Sequence, residues 1–86
     1  MREIGLRYFA WVRERVGIGE ERRELPEDVS DAAALIAWLA GQGEQYEAAF
    51  GQPKALRVAY DMRQVEMDTP LDGVREVAIY PPMTGG

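Results

Sequence analysis

The 86-residue sequence has room for one domain with a single modest core, since a domain of this size buries only about 60–65% of its unfolded surface. A hydrophobic fraction of 47% and a charged fraction of 29% are typical of a folded chain. The net charge of −5 argues against nucleic-acid binding, and the absence of cysteine and histidine excludes disulfides, thiolate or imidazole catalysis and Cys/His metal sites. Neither a signal peptide nor a membrane-spanning stretch is recognisable, so we expect a cytoplasmic protein without membrane contact.

The first quarter of the chain predicts a strand, a short helix and a second strand. Ile4, Leu6 and Tyr8 recur with period two and mark one face of the first strand. Helical spacing follows over residues 10–16, and a glycine directly after it predicts the end of that helix. Residues 20–25 carry many charges, which suits a strand at the edge of a sheet.

The main helix is predicted in the middle of the chain. Ser30 is its predicted N-cap, with Asp31 in the first turn, where the helix dipole favours negative charge. Apolar residues recur at helical spacing over residues 32–39, and a glycine at 41 or 43 supplies the C-cap. A shorter helix is predicted over residues 44–50.

Three further strand signals complete the fold. They are an alternating segment over residues 56–60, a brief one over residues 65–67 and a nearly continuous apolar run over residues 74–80. The last predicts a central strand that is buried on both faces. One main helix on a mixed sheet, with the first and last strands parallel neighbours, is an α+β domain of the β-grasp, or ubiquitin-like, type. We expect this domain over residues 1–80, followed by an extended, flexible tail over residues 81–86.

The tail carries the strongest chemical signal. Pro81 and Pro82 have no backbone N–H, so they should end the sheet at Tyr80 and start an extended segment. Six extended residues reach about 20 Å, enough to enter the cleft of a partner enzyme. Gly85 and Gly86 bring no side chains that would obstruct a narrow channel. The α-carboxylate can attack the α-phosphate of ATP, and a sulfur donor can convert the resulting acyl-adenylate to a thiocarboxylate.

Simpler readings exist for the same residues. A Gly-Gly ending alone is more typical of a frayed terminus than of a reactive end. Aromatic residues beside strands, here Phe9 and Tyr80, belong to the core as often as to an interface. The combination of a buried strand, a double proline and two glycines favours the carrier chemistry.

Two segments also match a known family. Residues 8–14 read Tyr-Phe-Ala-Trp-Val-Arg-Glu, and residues 76–86 read Glu-Val-Ala-Ile-Tyr-Pro-Pro-Met-Thr-Gly-Gly. They resemble the opening motif and the closing strand and tail of the small-subunit family of molybdopterin synthase, the sulfur carriers of molybdenum cofactor biosynthesis. The resemblance spans the whole chain, and the tail is its specific part.

The resemblance implies a β-grasp fold and a set of partners. A ubiquitin-activating-like adenylyltransferase would use ATP to adenylate Gly86, and a sulfur donor enzyme would supply the thiocarboxylate sulfur. The tail would then enter the large subunit of molybdopterin synthase, in a heterotetramer, and give its sulfur to cyclic pyranopterin monophosphate. The chain itself would bind no cofactor or metal and would be a non-catalytic subunit.

The resemblance also assigns roles to individual residues. Gly85 and Gly86 match the reactive end. The residues expected to contact partners are Phe9, Tyr80, Pro81, Pro82, Met83 and Thr84. The chain departs from the family where Asp61 replaces a frequent Asn and where Val74-Arg75 replaces Gly-Asp, so we expect rebuilt turns there. Two kinds of alternative stay open. One is a carrier for another pathway, such as thiamine or tRNA thiolation, or a protein modifier, and the other is a ubiquitin-like binding module without covalent chemistry.

Overall fold

A computed structural model describes residues 2–82. Its five-stranded mixed sheet has the strand order β2-β1-β5-β3-β4. In chain order the elements are β1 (Arg2–Tyr8), α1 (Ala10–Val16), β2 (Glu20–Leu25), α2 (Ala32–Ala40), α3 (Glu44–Phe50), a 3₁₀ turn (Pro53–Ala55), β3 (Arg57–Tyr60), β4 (Arg63–Val65) and β5 (Glu76–Tyr80). Strands β1 and β5 are parallel, and the other neighbours are antiparallel. This is the predicted β-grasp arrangement.

The core lies between one face of the sheet and the helices. Period-two alternation buries Ile4 and Leu6 of β1, both fully inaccessible. The helical repeat of α2 buries Leu35 and Leu39 against them, and α3 adds Phe50. Each of these side chains contributes about 1.5–3 kcal/mol through its removal from water. The strand and helix periods predicted for these segments are confirmed.

The N-cap of α2 is Asp31, and the prediction of Ser30 was wrong. The Asp31 carboxylate accepts a hydrogen bond from the Ala34 N–H at 2.8 Å, which satisfies one of the free donors of the first turn. The Ser30 carbonyl instead accepts from the Leu71 N–H at 2.8 Å, outside the helix. Both residue types cap helices well, so local sequence could not decide between them. Gly41 ends the helix, as predicted.

Strand β4 begins two residues earlier than predicted. Asp61 and Met62 have φ angles of 48° and 73° and form a two-residue turn that joins β3 directly to β4. This turn type matches the twist of an antiparallel pair and fixes the register, with Tyr60 opposite Arg63. The prediction over residues 65–67 missed the turn, because methionine is an unusual residue at positive φ.

Strand β5 is central, but its burial on both faces was wrongly predicted. Val77 and Ile79 are fully buried, whereas Glu76, Ala78 and Tyr80 are only half-buried on the other face. The reason is that all the helices pack on one side of the sheet. The strand also begins at Glu76, two residues later than predicted.

A side-chain cap holds the start of β5 in place. The Asp61 carboxylate accepts hydrogen bonds from the backbone N–H groups of Arg75 and Glu76, at 3.2 and 2.9 Å. Gly73, with a φ angle of 77°, completes the preceding turn. Aspartate tolerates positive φ and accepts backbone hydrogen bonds as asparagine does, so this departure from the family pattern keeps a capping acceptor at the turn.

Candidate functional site

The centre of the sheet fixes the point where the tail begins. Strand β5 is hydrogen-bonded to β1 on one side and to β3 on the other. Beyond the last parallel pair, the Phe9 N–H donates to the Ile79 carbonyl at 3.2 Å. The strand ends at Tyr80, as the two prolines predicted, and Pro81 follows half-buried. A force applied to the tail therefore acts on a strand that is bonded along both edges.

Exposed apolar residues surround this exit point. Phe9 is 45% exposed and Ile18 is 43% exposed. The Tyr8 N–H donates to the Gly19 carbonyl at 2.9 Å, which extends the β1–β2 register by one pair, and Phe9 and Ile18 are the residues next to that pair. Together with Tyr80, these residues form what we call the tail-base patch. Apolar groups gathered at one end of a small domain are typical of a contact surface for another protein.

The backbone of Phe9 is tied down although its side chain is exposed. Its N–H is bonded to β5, and its carbonyl accepts from the Val12 and Arg13 N–H groups at 3.1 and 3.4 Å at the start of α1. The next residue, Ala10, has a φ angle of 53°, which is unfavourable for any residue with a Cβ. Because β1 passes into α1 without a loop, this strained turn sets where the aromatic ring is displayed.

Directly behind the patch, one carboxylate joins three parts of the fold. Glu21 Oε2 accepts hydrogen bonds from the Tyr8 hydroxyl at 2.7 Å and the Tyr46 hydroxyl at 2.8 Å, while Oε1 accepts from Arg23 Nε at 3.0 Å. The Arg23 guanidinium lies over the Tyr46 ring, 5.0 Å from its centroid. The side chain of Glu21 is only 15% exposed. Charge-assisted bonds of this kind are about twice as strong as neutral ones.

The protonation of this cluster follows from its contacts. Burial alone would raise the pKa of the Glu21 carboxyl, but the hydrogen bonds from Tyr8, Tyr46 and Arg23 outweigh burial and hold it below its ordinary value. Burial, and then the hydrogen bond to Glu21, raise the pKa of the Tyr8 hydroxyl. Tyr8 and Tyr46 therefore stay neutral donors at neutral pH. The cluster is a structural support, since neither tyrosine can act as a base there.

The predicted site residues fall into two groups. Phe9, Tyr80 and Pro81 lie together at the exit point, with Pro82 exposed after them. The four remaining predicted residues, Met83, Thr84, Gly85 and Gly86, lie outside the described residues, and their roles stay predictions. Ile18 was missed at the sequence level. A single isoleucine between two glycines reads as part of a turn, and only the register of β1 and β2 shows its neighbours.

Within residues 2–82, no three His, Cys, Asp or Glu side chains are grouped so that they could hold a metal ion. In the same part of the chain, no helix has the length and apolar character needed to cross a bilayer.

Comparison with known proteins gives consistent results. The model of the ThiS family matches residues 6–86. The chain is 36% identical over 83 residues to the molybdopterin synthase sulfur carrier subunit of Escherichia coli K12, a match that covers 96% of this chain and 99% of the relative. The protein of the same name from Haemophilus influenzae is 29% identical over the same shares.

A solved structure matches the fold as well. The putative molybdopterin converting factor subunit 1 of Pyrococcus furiosus superposes with a TM-score of 0.67 at 25% identity, covering 96% of this chain and all of the other. The family model, the near full-length relatives and the solved structure thus point to one set of proteins. The chain belongs to the ThiS family.

Proposed function

We propose that this chain is the sulfur carrier subunit of a molybdopterin synthase. The observation that carries the proposal is the near full-length match, at 36% identity, to a curated protein of that name. Glycines at 85 and 86 lie within the segment matched by the family model. The chain has no cysteine, so a thiocarboxylate at Gly86 is the form in which it would carry reactive sulfur.

The proposed reaction sequence has three steps. The Gly86 carboxylate attacks the α-phosphorus of ATP in an activating partner, and pyrophosphate leaves. Sulfide delivered by a sulfur donor then attacks the carbonyl of the acyl-adenylate, a C–S bond forms, the carbon–oxygen bond to AMP breaks, and a thiocarboxylate, AMP and a proton result. In the large subunit, the sulfur is transferred to cyclic pyranopterin monophosphate, and water restores the carboxylate for the next cycle.

The described residues would hold the base of the tail and present the tail to the partner enzymes. Strand β5 anchors the tail by backbone bonds on both edges, and Pro81-Pro82 continue it without donors that could pair with the sheet. The tail-base patch gives the large subunit an apolar surface around the entering tail. Preorganisation of this kind lowers the entropic cost of placing a reactive end in a cleft.

The proposal includes several partners. The large subunit of the synthase, a ubiquitin-activating-like adenylyltransferase and a sulfur donor enzyme would each contact the same tail in turn. A heterotetramer with small subunits at both ends of a large-subunit dimer, working in the cytoplasm, is the arrangement that we expect. ATP would be bound by the activating partner, and this chain would bind no cofactor.

The test is reconstitution with defined components. The carrier, with its carboxyl terminus first verified by mass, is incubated with ATP, the activating enzyme and a sulfide source. The proposal expects a mass gain equal to the exchange of one oxygen for sulfur at Gly86, followed by molybdopterin formation when the large subunit and the pyranopterin are added. A variant lacking Gly86 is the control, and it should unfold at the same temperature as the parent but give no product.

Two outcomes would contradict the proposal. If a variant lacking Gly86 still supports molybdopterin formation, Gly86 is not the residue that carries the sulfur. A thiocarboxylated carrier that transfers sulfur only to thiamine or tRNA thiolation enzymes would assign the chain to another pathway.

A further inference from the structure

A cation lies next to the tail-base patch, on its β3 side. Arg57, the first residue of β3, is paired directly with Tyr80, and such pairs in antiparallel strands have Cα atoms about 5 Å apart. The adjoining pair, Val58 and Ile79, is buried in the core, so Arg57 and Tyr80 point to the other face of the sheet. Phe9 directly follows β1, so Phe9, Tyr80 and Arg57 lie at the same end of three neighbouring strands.

The charge of Arg57 is not neutralised by the rest of the described chain. Its side chain is exposed, and its hydrogen bond within residues 2–82 goes to the adjacent Leu56 carbonyl, at 3.0 Å. It forms no ion pair with those residues. Arg7, on the same face of the sheet, instead lies 3.6 Å from a Glu20 oxygen and 3.4 Å from a Glu76 oxygen. The guanidinium of Arg57 is therefore available to a group from outside the domain.

The surface beside Arg57 leaves room for such a group. A depression of about 410 Å³ lies beside the start of β3 and the end of β4, and Arg57, Gln64 and Glu66 are among the residues that line it. Glu66 shares this depression without forming an ion pair with Arg57. An acceptor from a partner can thus approach the guanidinium without breaking an ion pair of the domain.

A guanidinium that another protein covers needs an acceptor there. Burying a charge without a partner is costly, whereas a carboxylate matches the planar fork of arginine through two parallel hydrogen bonds. Aromatic residues and arginine are also the residues that most often dominate binding at protein interfaces. Because Arg57 is adjacent to Tyr80, a partner that covers the tail-base patch covers Arg57 as well.

We infer that Arg57 is a specificity-determining residue for the large subunit, which places a carboxylate opposite its guanidinium. The inference rests on the proposed function, because that function supplies the large subunit as the protein that covers the tail-base patch. A large subunit with an apolar or basic group at that place would leave Arg57 unpaired or repelled. The pair would therefore distinguish a matching large subunit from others that could receive the same tail.

The test compares two exposed arginines of the β3–β4 pair. In calorimetric titration with the large subunit, Arg57→Gln should raise the dissociation constant about tenfold, and Arg57→Glu should raise it roughly a hundredfold. Arg63→Gln and Arg63→Glu make the same changes in net charge at the far end of β3, about 10 Å along the strand, and should bind as the parent does. All four variants should unfold at the temperature of the parent, because both side chains are exposed.

Zero-length cross-linking identifies the group opposite Arg57. A carbodiimide joins an amine to a carboxylate with loss of water, and the parent has one lysine, Lys54, as its background. In complex with the large subunit, Arg57→Lys should give an additional link from the substituted position to an Asp or Glu of that subunit. Mass spectrometry of the digested product locates both ends of the link.

The outcomes separate the inference from the proposed function. If Arg57→Glu binds as tightly as the parent, if the Arg63 variants weaken binding equally, or if the complex forms without the additional link, the inference is overturned and the proposed function stands. A parent chain that does not bind the large subunit at all overturns both.

Discussion

The carboxylate of Glu21 should stabilise the domain far more than a charged residue on an edge strand ordinarily does. In Glu21→Ala, the hydroxyls of Tyr8 and Tyr46 lose their acceptor, and Arg23 loses its ion pair. Hydrogen bonds to charged groups contribute about 1.5–3 kcal/mol each, and a buried donor left without a partner costs about 1–3 kcal/mol. Tyr8 is 1% exposed, so in the parent fold its hydroxyl depends on the Glu21 carboxylate rather than on bulk water.

The net loss is smaller than the sum of these contacts. Removing the carboxylate also removes the cost of burying its charge, and water can enter the space it leaves. We therefore expect Glu21→Ala to lower the free energy of unfolding by about 3 kcal/mol, which for a domain of this size lowers Tm by about 12–24 °C. Urea denaturation followed by tryptophan fluorescence measures the change directly, since Trp38 lies beside Arg23.

The matched control is Glu24→Ala on the same strand. Glu24 is exposed and its side chain makes no hydrogen bond or ion pair with any residue from 2 to 82, so removing the side chain should change stability by less than about 0.5 kcal/mol. Tyr8→Phe, combined with Glu21→Ala, tests the specific contact, with a coupling energy of about 1–2 kcal/mol expected. If the two alanine variants unfold at the same urea concentration, the reasoning about this cluster is wrong.

Three further predictions follow from the described contacts. The folded-state pKa of Glu21 lies below the ordinary value of 4.5. The contribution of its charge to stability is therefore complete above that pH and is lost as the pH falls through the folded-state pKa. The difference in stability between the parent and Glu21→Gln should narrow from pH 7 to pH 3. Ala10→Gly should raise stability by about 1 kcal/mol in thermal unfolding, because glycine adopts its positive φ without strain. Phe9→Ala should weaken binding of the large subunit by about tenfold or more in calorimetric titration, as loss of an aromatic anchor does, while an unchanged affinity would remove the tail-base patch from the interface.

Most of the fold was predictable because its signals are local. Alternation in β1, the helical repeat of α2 and the two prolines after Tyr80 each act within a few residues. The errors arose where two local solutions compete. Ser30 and Asp31 are equally good caps, and a two-residue turn at Asp61 and Met62 has no glycine to mark it.

The support behind the tail base could not be predicted from local signals. Tyr8, Glu21 and Tyr46 come from β1, β2 and α3, and each alone has an ordinary reading as a strand aromatic, an edge charge or a helix aromatic. Only the pairing of β1 with β2, and the packing of α3 over both, brings the three side chains to one point. The same holds for Ile18, whose place beside Phe9 depends on that register.

The position of β5 bears on the proposed presentation of the tail, because a pull beyond Tyr80 would act on the centre of the sheet. An edge strand could be peeled away one hydrogen bond at a time, whereas β5 is held by β1 and β3 together and by the Asp61 cap. The amides of Val77 and Ile79 should therefore exchange with solvent only through global unfolding, at rates that follow the overall stability when denaturant is added. Amides of the edge strand β4 should exchange faster and respond little to denaturant. If Val77 and Ile79 exchange as fast as β4, the tail is anchored by something other than the centre of the sheet.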